Sequence, residues 1–174
     1  MRLFCAVNFG ATTVSNLVML QDELRCRAGR GNYSLRQNLH LTLAFLGEYD
    51  GAQAGDAIAA MDAVNFAPFT VVISHVGRNK QHGRELWWAG LDECKPLMTM
   101  RQALARELRA KGCDFDQRQF SPHITLAREI VTDVPPWPIE AIAEPVKRFD
   151  LMRSERLAGQ LTYTSIHACV AGSA

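Results

Sequence analysis

No apolar run in the 174 residues approaches the ~18 consecutive residues that a membrane-spanning helix needs, which sets a membrane protein aside. Neither sign of charge dominates: Lys+Arg is 19, Asp+Glu is 18, and the formal net charge is +1. That balance argues against a protein that coats long nucleic acid or acidic membrane, yet leaves room for a site gripping one or two phosphates. The five cysteines, Cys5, Cys26, Cys94, Cys113 and Cys169, are odd in number, scattered, and form no CxxC pair. A disulfide framework or zinc ribbon is thereby disfavoured, and reduced thiols in a cytoplasmic protein are expected. No HxxxH or HExxH pair marks a metal site, and Gly29-Arg30-Gly31 is not followed by the GK[ST] of a phosphate loop. A GxSxG elbow is missing, and Cys26, Cys94 and Cys113 carry no signal of a nucleophile. No cofactor, metal or protein partner is implied. Low-complexity segments and long linkers are lacking too, so residues 1–174 read as a single domain, long enough to bury a real core.

What is present alternates strand and helix patterns. Residues 2–9 are apolar; Asn8 interrupts them and no small-x-small cleavage site follows, so a first strand fits better than a signal peptide. Val14, Leu17, Val18, Leu20 and Leu24 have helical spacing, with Thr13 or Ser15 as N-cap. Residues 39–46 alternate as a strand, and Ala54, Ala57, Ile58, Met61 and Val64 share a helical face. Residues 69–74 and 85–91 read as strands joined by a polar loop containing Gly77, Asn79 and Gly83. Leu97, Met100, Leu104 and Leu108 form a second helical stripe that ends near Gly112. Strands follow at 122–128, 146–152 and 161–170, while Pro135, Pro136, Trp137 and Pro138 read as a surface connection. Strands joined partly by hairpins and partly by helices indicate an α+β fold with antiparallel sheets.

One pattern stands above this background. His40-Leu41-Thr42-Leu43-Ala44 recurs as His123-Ile124-Thr125-Leu126-Ala127. On a strand, residues i and i+2 share a face, so His40 with Thr42, and His123 with Thr125, point one way. Leu41, Leu43 and Phe45 are expected in the core, as are Ile124 and Leu126. A lone histidine on a strand is ordinarily packed or solvated; two five-residue matches in the same apolar register are much harder to obtain by chance. Hydrolysis of a phosphodiester needs a base for the water and an acid for the departing oxygen, on opposite sides of phosphorus. Two imidazoles near neutral pH can fill both roles. Two threonine hydroxyls can donate to the non-bridging oxygens, where charge develops. The sequence itself does not say which histidine is which.

The stretches His40-Leu-Thr42-Leu-Ala-Phe-Leu-Gly47 and Ser121-Pro122-His123-Ile-Thr125-Leu-Ala-Arg128 resemble the signature motifs of the two-histidine phosphoesterase superfamily. Within it they are most similar to the bacterial RNA 2′,3′-cyclic phosphodiesterases, the LigT-like proteins formerly called 2′-5′ RNA ligases. The resemblance implies a bilobal fold in which two antiparallel sheets face a central cleft, with helices outside and one HxT strand per lobe. It also implies hydrolysis of RNA 2′,3′-cyclic phosphate ends to 2′-phosphomonoesters, with His40 as general acid and His123 as general base. Reverse 2′-5′ joining is then conceivable in vitro by microscopic reversibility. The alternatives are a cyclic phosphodiesterase acting on a small nucleotide such as ADP-ribose 1″,2″-cyclic phosphate, and a non-catalytic RNA-end binding protein.

Around the motifs, Arg25, Arg27, Arg30 and Arg36 lie between Leu24 and Gly47 without an intervening acid. They read either as a positive rim for the RNA backbone, with Arg36 on phosphate and Tyr33 stacking on a base, or as a solvated helix end. Plain alternation turns Arg128 away from His123, though a long side chain at a strand end can bend back to a phosphate. Phe45 and Phe120 are expected in the core, His75, His82 and His167 as background, and one of Trp87 and Trp88 in the core.

Overall fold

The computed structural model describes residues 1–81 and 84–172, so His82 and Gly83 lie outside the described residues. The elements are β1 (Arg2–Asn8), α1 (Ala11–Ala28), β2 (Asn32–Tyr33), a 3-10 turn (Arg36–Asn38), β3 (His40–Glu48) and α2 (Gly51–Asp62). Then come β4 (Phe69–Gln81), β5 (Arg84–Leu91), α3 (Lys95–Ala110), β6 (His123–Ile130), β7 (Trp137–Val146), β8 (Arg148–Leu157) and β9 (Gln160–Val170).

The strands run in the order β7-β4-β5-β6-β3-β1-β8-β9, with β2 beside β6, and every pairing is antiparallel. At the centre, β3 and β6 share a single pair, Leu41 with Ile124. The expected two sheets are therefore the two halves of this run, joined at one point between the two motif strands. Leu41, Leu43, Ile124 and Leu126 turn to one side and meet Leu17, Leu20 and Leu24 of α1 and Leu97, Met100, Leu104 and Leu108 of α3 in one buried core. Burial of this apolar surface, at roughly 25 cal/mol per Å², anchors the backbone of both motif strands. The other face of the run carries His40 and Thr42 on β3 and His123 and Thr125 on β6, with Phe4, Ala6, Met152 and Tyr163 packed beside them, and borders the cleft between the two halves.

Local signals account for two of the helices. Asp50 and Gln53 form a reciprocal capping box that starts α2. Pro96 opens α3, and Gly112, at φ +71°, follows its end. By contrast α1 is not capped by Thr13 or Ser15. It starts at Gly10 without a side-chain cap, and the Gly10 N–H and Thr13 hydroxyl both donate to the buried Glu144 carboxylate of β7. A negative charge suits a helix N-terminus, and here a distant strand supplies it.

Two expectations about connections are overturned. The region 77–81 is not a loop: β4 continues to Gln81 and pairs with β5. Gly77 is present because the Trp88 ring lies where its side chain would be, not because the chain turns. Trp137 and Pro138 are not a surface connection either, but open β7, with Trp137 buried. Because β7 is an edge strand, paired among the described residues only with β4, the missing N–H of Pro138 is tolerated.

Candidate active site

Both motif strands carry the same irregularity. On β3, His40, Leu41 and Thr42 face Asn8, Val7 and Ala6 of β1, and then Ala44 faces Cys5, leaving Leu43 unpaired. On β6, His123, Ile124 and Thr125 face Gly90, Ala89 and Trp88 of β5, and then Ala127 faces Trp87, leaving Leu126 unpaired. Each is a β-bulge, which reverses the side-chain alternation beyond it. Two expectations change as a result. Phe45 is not in the core; it emerges on the cleft side, 38% exposed, with the Arg2 guanidinium over its ring. Arg128 does not point away from His123. It pairs with Leu86, on the face of Trp88, while Trp87 takes the buried face opposite Ala127.

The imidazoles are held alike. The Nδ1–H of His40 donates to the Asn38 carbonyl at 2.7 Å, and that of His123 to the Ser121 carbonyl at 2.8 Å. Each clamp spans two residues, fixes the ring and assigns the tautomer, so Nε2 is the nitrogen presented to the cleft. On neutral His40, Nε2 accepts the Thr42 hydroxyl at 2.9 Å. The surroundings of the two rings differ. His40 sits against Phe4 and Tyr163, with ring centroids 4.9 and 5.3 Å away. Burial pushes its pKa below the ordinary value; the Asn38 carbonyl opposes this, and the charges of His123 and Arg128 add to it. Arg128 also acts on Tyr163. Residues from both halves therefore share one electrostatic site.

These paired HxT strands agree with the family comparison, in which the model of the 2′-5′ RNA ligase superfamily matches residues 15–158. The chain belongs to that superfamily. It is similar to the RNA 2′,3′-cyclic phosphodiesterase of Escherichia coli (strain K12), 31% identical over 172 residues covering 95% of this chain and 93% of that protein. The RNA 2′,3′-cyclic phosphodiesterase of Thermus thermophilus is 31% identical over 168 residues, covering 89% of this chain and 82% of that one. In three dimensions the chain matches E. coli LigT complexed with 3′-AMP, at a TM-score of 0.84 and 24% identity, covering 99% and 98% of the two chains.

Not every candidate of this superfamily member reaches the cleft. Tyr33 does not. It pairs with Ala127 on the core face of β6, its hydroxyl donates to Gly29, and Arg25 of α1 covers its ring at 4.2 Å. Arg36 is exposed and donates to Ser15 of α1; the guanidinium that acts on His40 is that of Arg128 instead. Arg25 and Arg27 pair with Asp22 and Glu23 of their own helix, as a solvated helix end would. Phe120 packs against the core, and His167 pairs with Asp62. Among the described residues no three His, Cys, Asp or Glu side chains converge to hold a metal ion. No described helix is long and apolar enough to cross a membrane.

Sequence reading gave no site role to Asn8, the last residue of β1, which pairs with His40 of β3 and donates to Asp150 at 2.9 Å. Its only signal was a polar residue ending an apolar strand. It also left open which tryptophan meets the cleft: Trp88 does, with its ring 6.3 Å from that of His123.

Proposed function

We propose that this chain hydrolyses RNA 2′,3′-cyclic phosphate ends to 2′-phosphomonoesters by acid–base catalysis without a metal, and that residues 1–174 act as one two-lobed domain. The observation that carries the reading is the pair of imidazoles, each pinned through Nδ1 and each presenting Nε2 from adjoining strands. The relatives named above support the choice of substrate. Free thiols at all five cysteines, with Cys5 pushed up to about 12 by burial, suit a cytoplasmic protein and offer no nucleophile there.

In this mechanism His123 Nε2 takes a proton from the attacking water. His40 Nε2–H protonates O3′ as its bond to phosphorus breaks on the opposite side. Water oxygen joins phosphorus, O2′ keeps it, and O3′ leaves as a hydroxyl. The free protein holds His40 toward its neutral form; the anionic phosphate counters this by drawing a proton onto Nε2. Once Nε2 is charged it no longer accepts from Thr42, whose hydroxyl is freed to donate to a non-bridging oxygen. Thr125 does the same from β6, and Arg128 neutralises the charge that builds.

O2′ and O3′ are similar leaving groups, so only a fixed orientation of the nucleoside yields one product. The test is hydrolysis of a cyclic-ended oligoribonucleotide, with the isomers resolved by phosphorus NMR. A single 2′-phosphate is expected. A mixture would rule out a fixed orientation, and a clean 3′-phosphate would reverse the proposed placement of the substrate between the two histidines.

A further inference from the structure

The two bulges leave Leu43 and Leu126 without cross-strand partners on β1 and β5, yet buried backbone carbonyls must find donors. Each finds one on a helix packed against the core side of the sheet. Arg101 of α3, its guanidinium over the rings of Phe115 and Phe120, donates through Nε to the Leu43 carbonyl at 2.9 Å. Gln21 of α1 donates through Nε2 to the Leu126 carbonyl at 2.8 Å. The same amide nitrogen donates to the Ser34 carbonyl, also at 2.8 Å. Both acceptors are carbonyls, so the nitrogen of the amide must be the atom that faces them. Ser34 adds its N–H to the Leu126 carbonyl at 2.9 Å and its hydroxyl to the Thr125 carbonyl at 2.8 Å. Gln21 is 4% exposed and stands in the apolar stripe of α1, between Leu20 and Leu24. A buried amide costs free energy unless it is hydrogen-bonded, and these two bonds lead to the bulge and to the segment beside it. Just beyond the bulge lies Arg128. It sits between Leu126 and Glu129, which is likewise skipped in the pairing with β5 and has φ +60°. Dissolving the bulge at Leu126 would restore plain alternation and turn Arg128 away from the cleft.

From this arrangement we infer that Gln21 is a positioning residue: by tying the Leu126 carbonyl to α1 it locks the bulge of β6 and so aims Arg128 at the phosphate. Arg101 is its counterpart on β3, where the bulge turns Phe45 to the cleft. The inference rests on the cyclic phosphodiesterase reading, in which Arg128 bears on the phosphate. It extends the site to a buried side chain on the core side of the sheet, which acts only through the strand it holds.

The test is a double-mutant cycle of Gln21→Met and Arg128→Met, read by turnover of a cyclic-ended oligoribonucleotide and by the NMR titration of His40. Methionine keeps the length and bulk of Gln21 and removes the donor. In the wild-type background Gln21→Met is expected to lower kcat/KM about 5–100-fold. It is also expected to raise the His40 pKa toward its value in Arg128→Met, because the displaced guanidinium no longer acts on that ring. In the Arg128→Met background the same substitution should cost less than about 2-fold more and leave the His40 titration where it stands. A loss that multiplies in full on Arg128→Met, or a His40 titration and turnover that Gln21→Met leaves at their wild-type values, overturns the inference. A glutamine that served stability alone would shift the urea midpoint and leave both readouts of the folded protein unchanged. Should Gln21→Met not fold, Ser34→Ala takes its place: it removes only the hydroxyl bond to the Thr125 carbonyl and is held to the same two readouts, with the same coupling to Arg128 expected. If wild type does not hydrolyse the oligoribonucleotide, the functional reading fails, and the His40 titration alone decides for or against the role of Gln21.

Discussion

Arg128 is where the bulge at Leu126 has its sharpest consequence, and replacing it with methionine tests that geometry twice. The residue is exposed, so Arg128→Met keeps the aliphatic stem and leaves the core intact. A charge-assisted hydrogen bond contributes about 1.5–3 kcal/mol, and each ~1.4 kcal/mol is a factor of ten. Loss of one such bond to the phosphate should thus lower kcat/KM roughly 10–150-fold. The second effect has the opposite sense. The Arg128 charge is one of the influences that lower the His40 pKa, so its removal should raise that pKa. Burial, which is the larger cause, stays, and His40 should remain below its ordinary value. Histidine Cε1–H resonances followed by NMR report this, with His40 assigned by its disappearance in His40→Gln. Arg128→Lys should restore the His40 titration but recover only part of the activity, because an ammonium lacks the planar fork of guanidinium. Unchanged titration together with unchanged turnover in Arg128→Met would place the side chain on the far face of β6, where plain alternation puts it.

His40→Gln and His123→Ala should each lower turnover about 10²–10⁴-fold while circular dichroism shows a folded protein; near-normal turnover in either would end the acid–base assignment. Thr42→Val and Thr125→Val should reduce kcat more than affinity, by roughly 10–10³-fold, and only Thr42→Val should also alter the His40 titration, since only that hydroxyl bonds its Nε2 among the described residues. A pure affinity defect would leave the hydroxyls as positioning groups alone. Stability should also carry the signature of His40. Its folded pKa lies below the ordinary 6.5, so the unfolded chain takes up the proton first as pH falls. The contribution of neutral His40 is fully present above 6.5, declines as pH drops toward the folded value, and is level below it. Urea unfolding of wild type and His40→Gln across about pH 5–8 should show this slope in wild type and its loss in the variant.

Short-range spacing carried much of this protein. The repeated HxT pattern alone aligned His40 with Thr42 and His123 with Thr125 on strand faces backed by Leu41 and Ile124, because a pleat of period two is a local property of the chain. The stripe from Leu97 to Leu108 likewise marked α3, since a helical face is set by neighbours three and four residues apart. Tertiary structure decided what depends on partners remote in sequence. A bulge belongs to a pair of strands, not to one, so Leu43 and Leu126 gave no sign that they would turn Phe45 and Arg128 to the cleft. Tyr33 was taken to the opposite face by its register on β6, and the start of α1 was fixed by Glu144 of β7. The desolvation that lowers the His40 pKa comes with Phe4 of β1 and Tyr163 of β9 packed against its ring, at the two ends of the chain. Sequence thus marked the groups proposed for the chemistry, because residue type and local period suffice for that. Only the fold decided what charge, ring and glycine would surround them, because those contacts exist only after strands distant in sequence have paired.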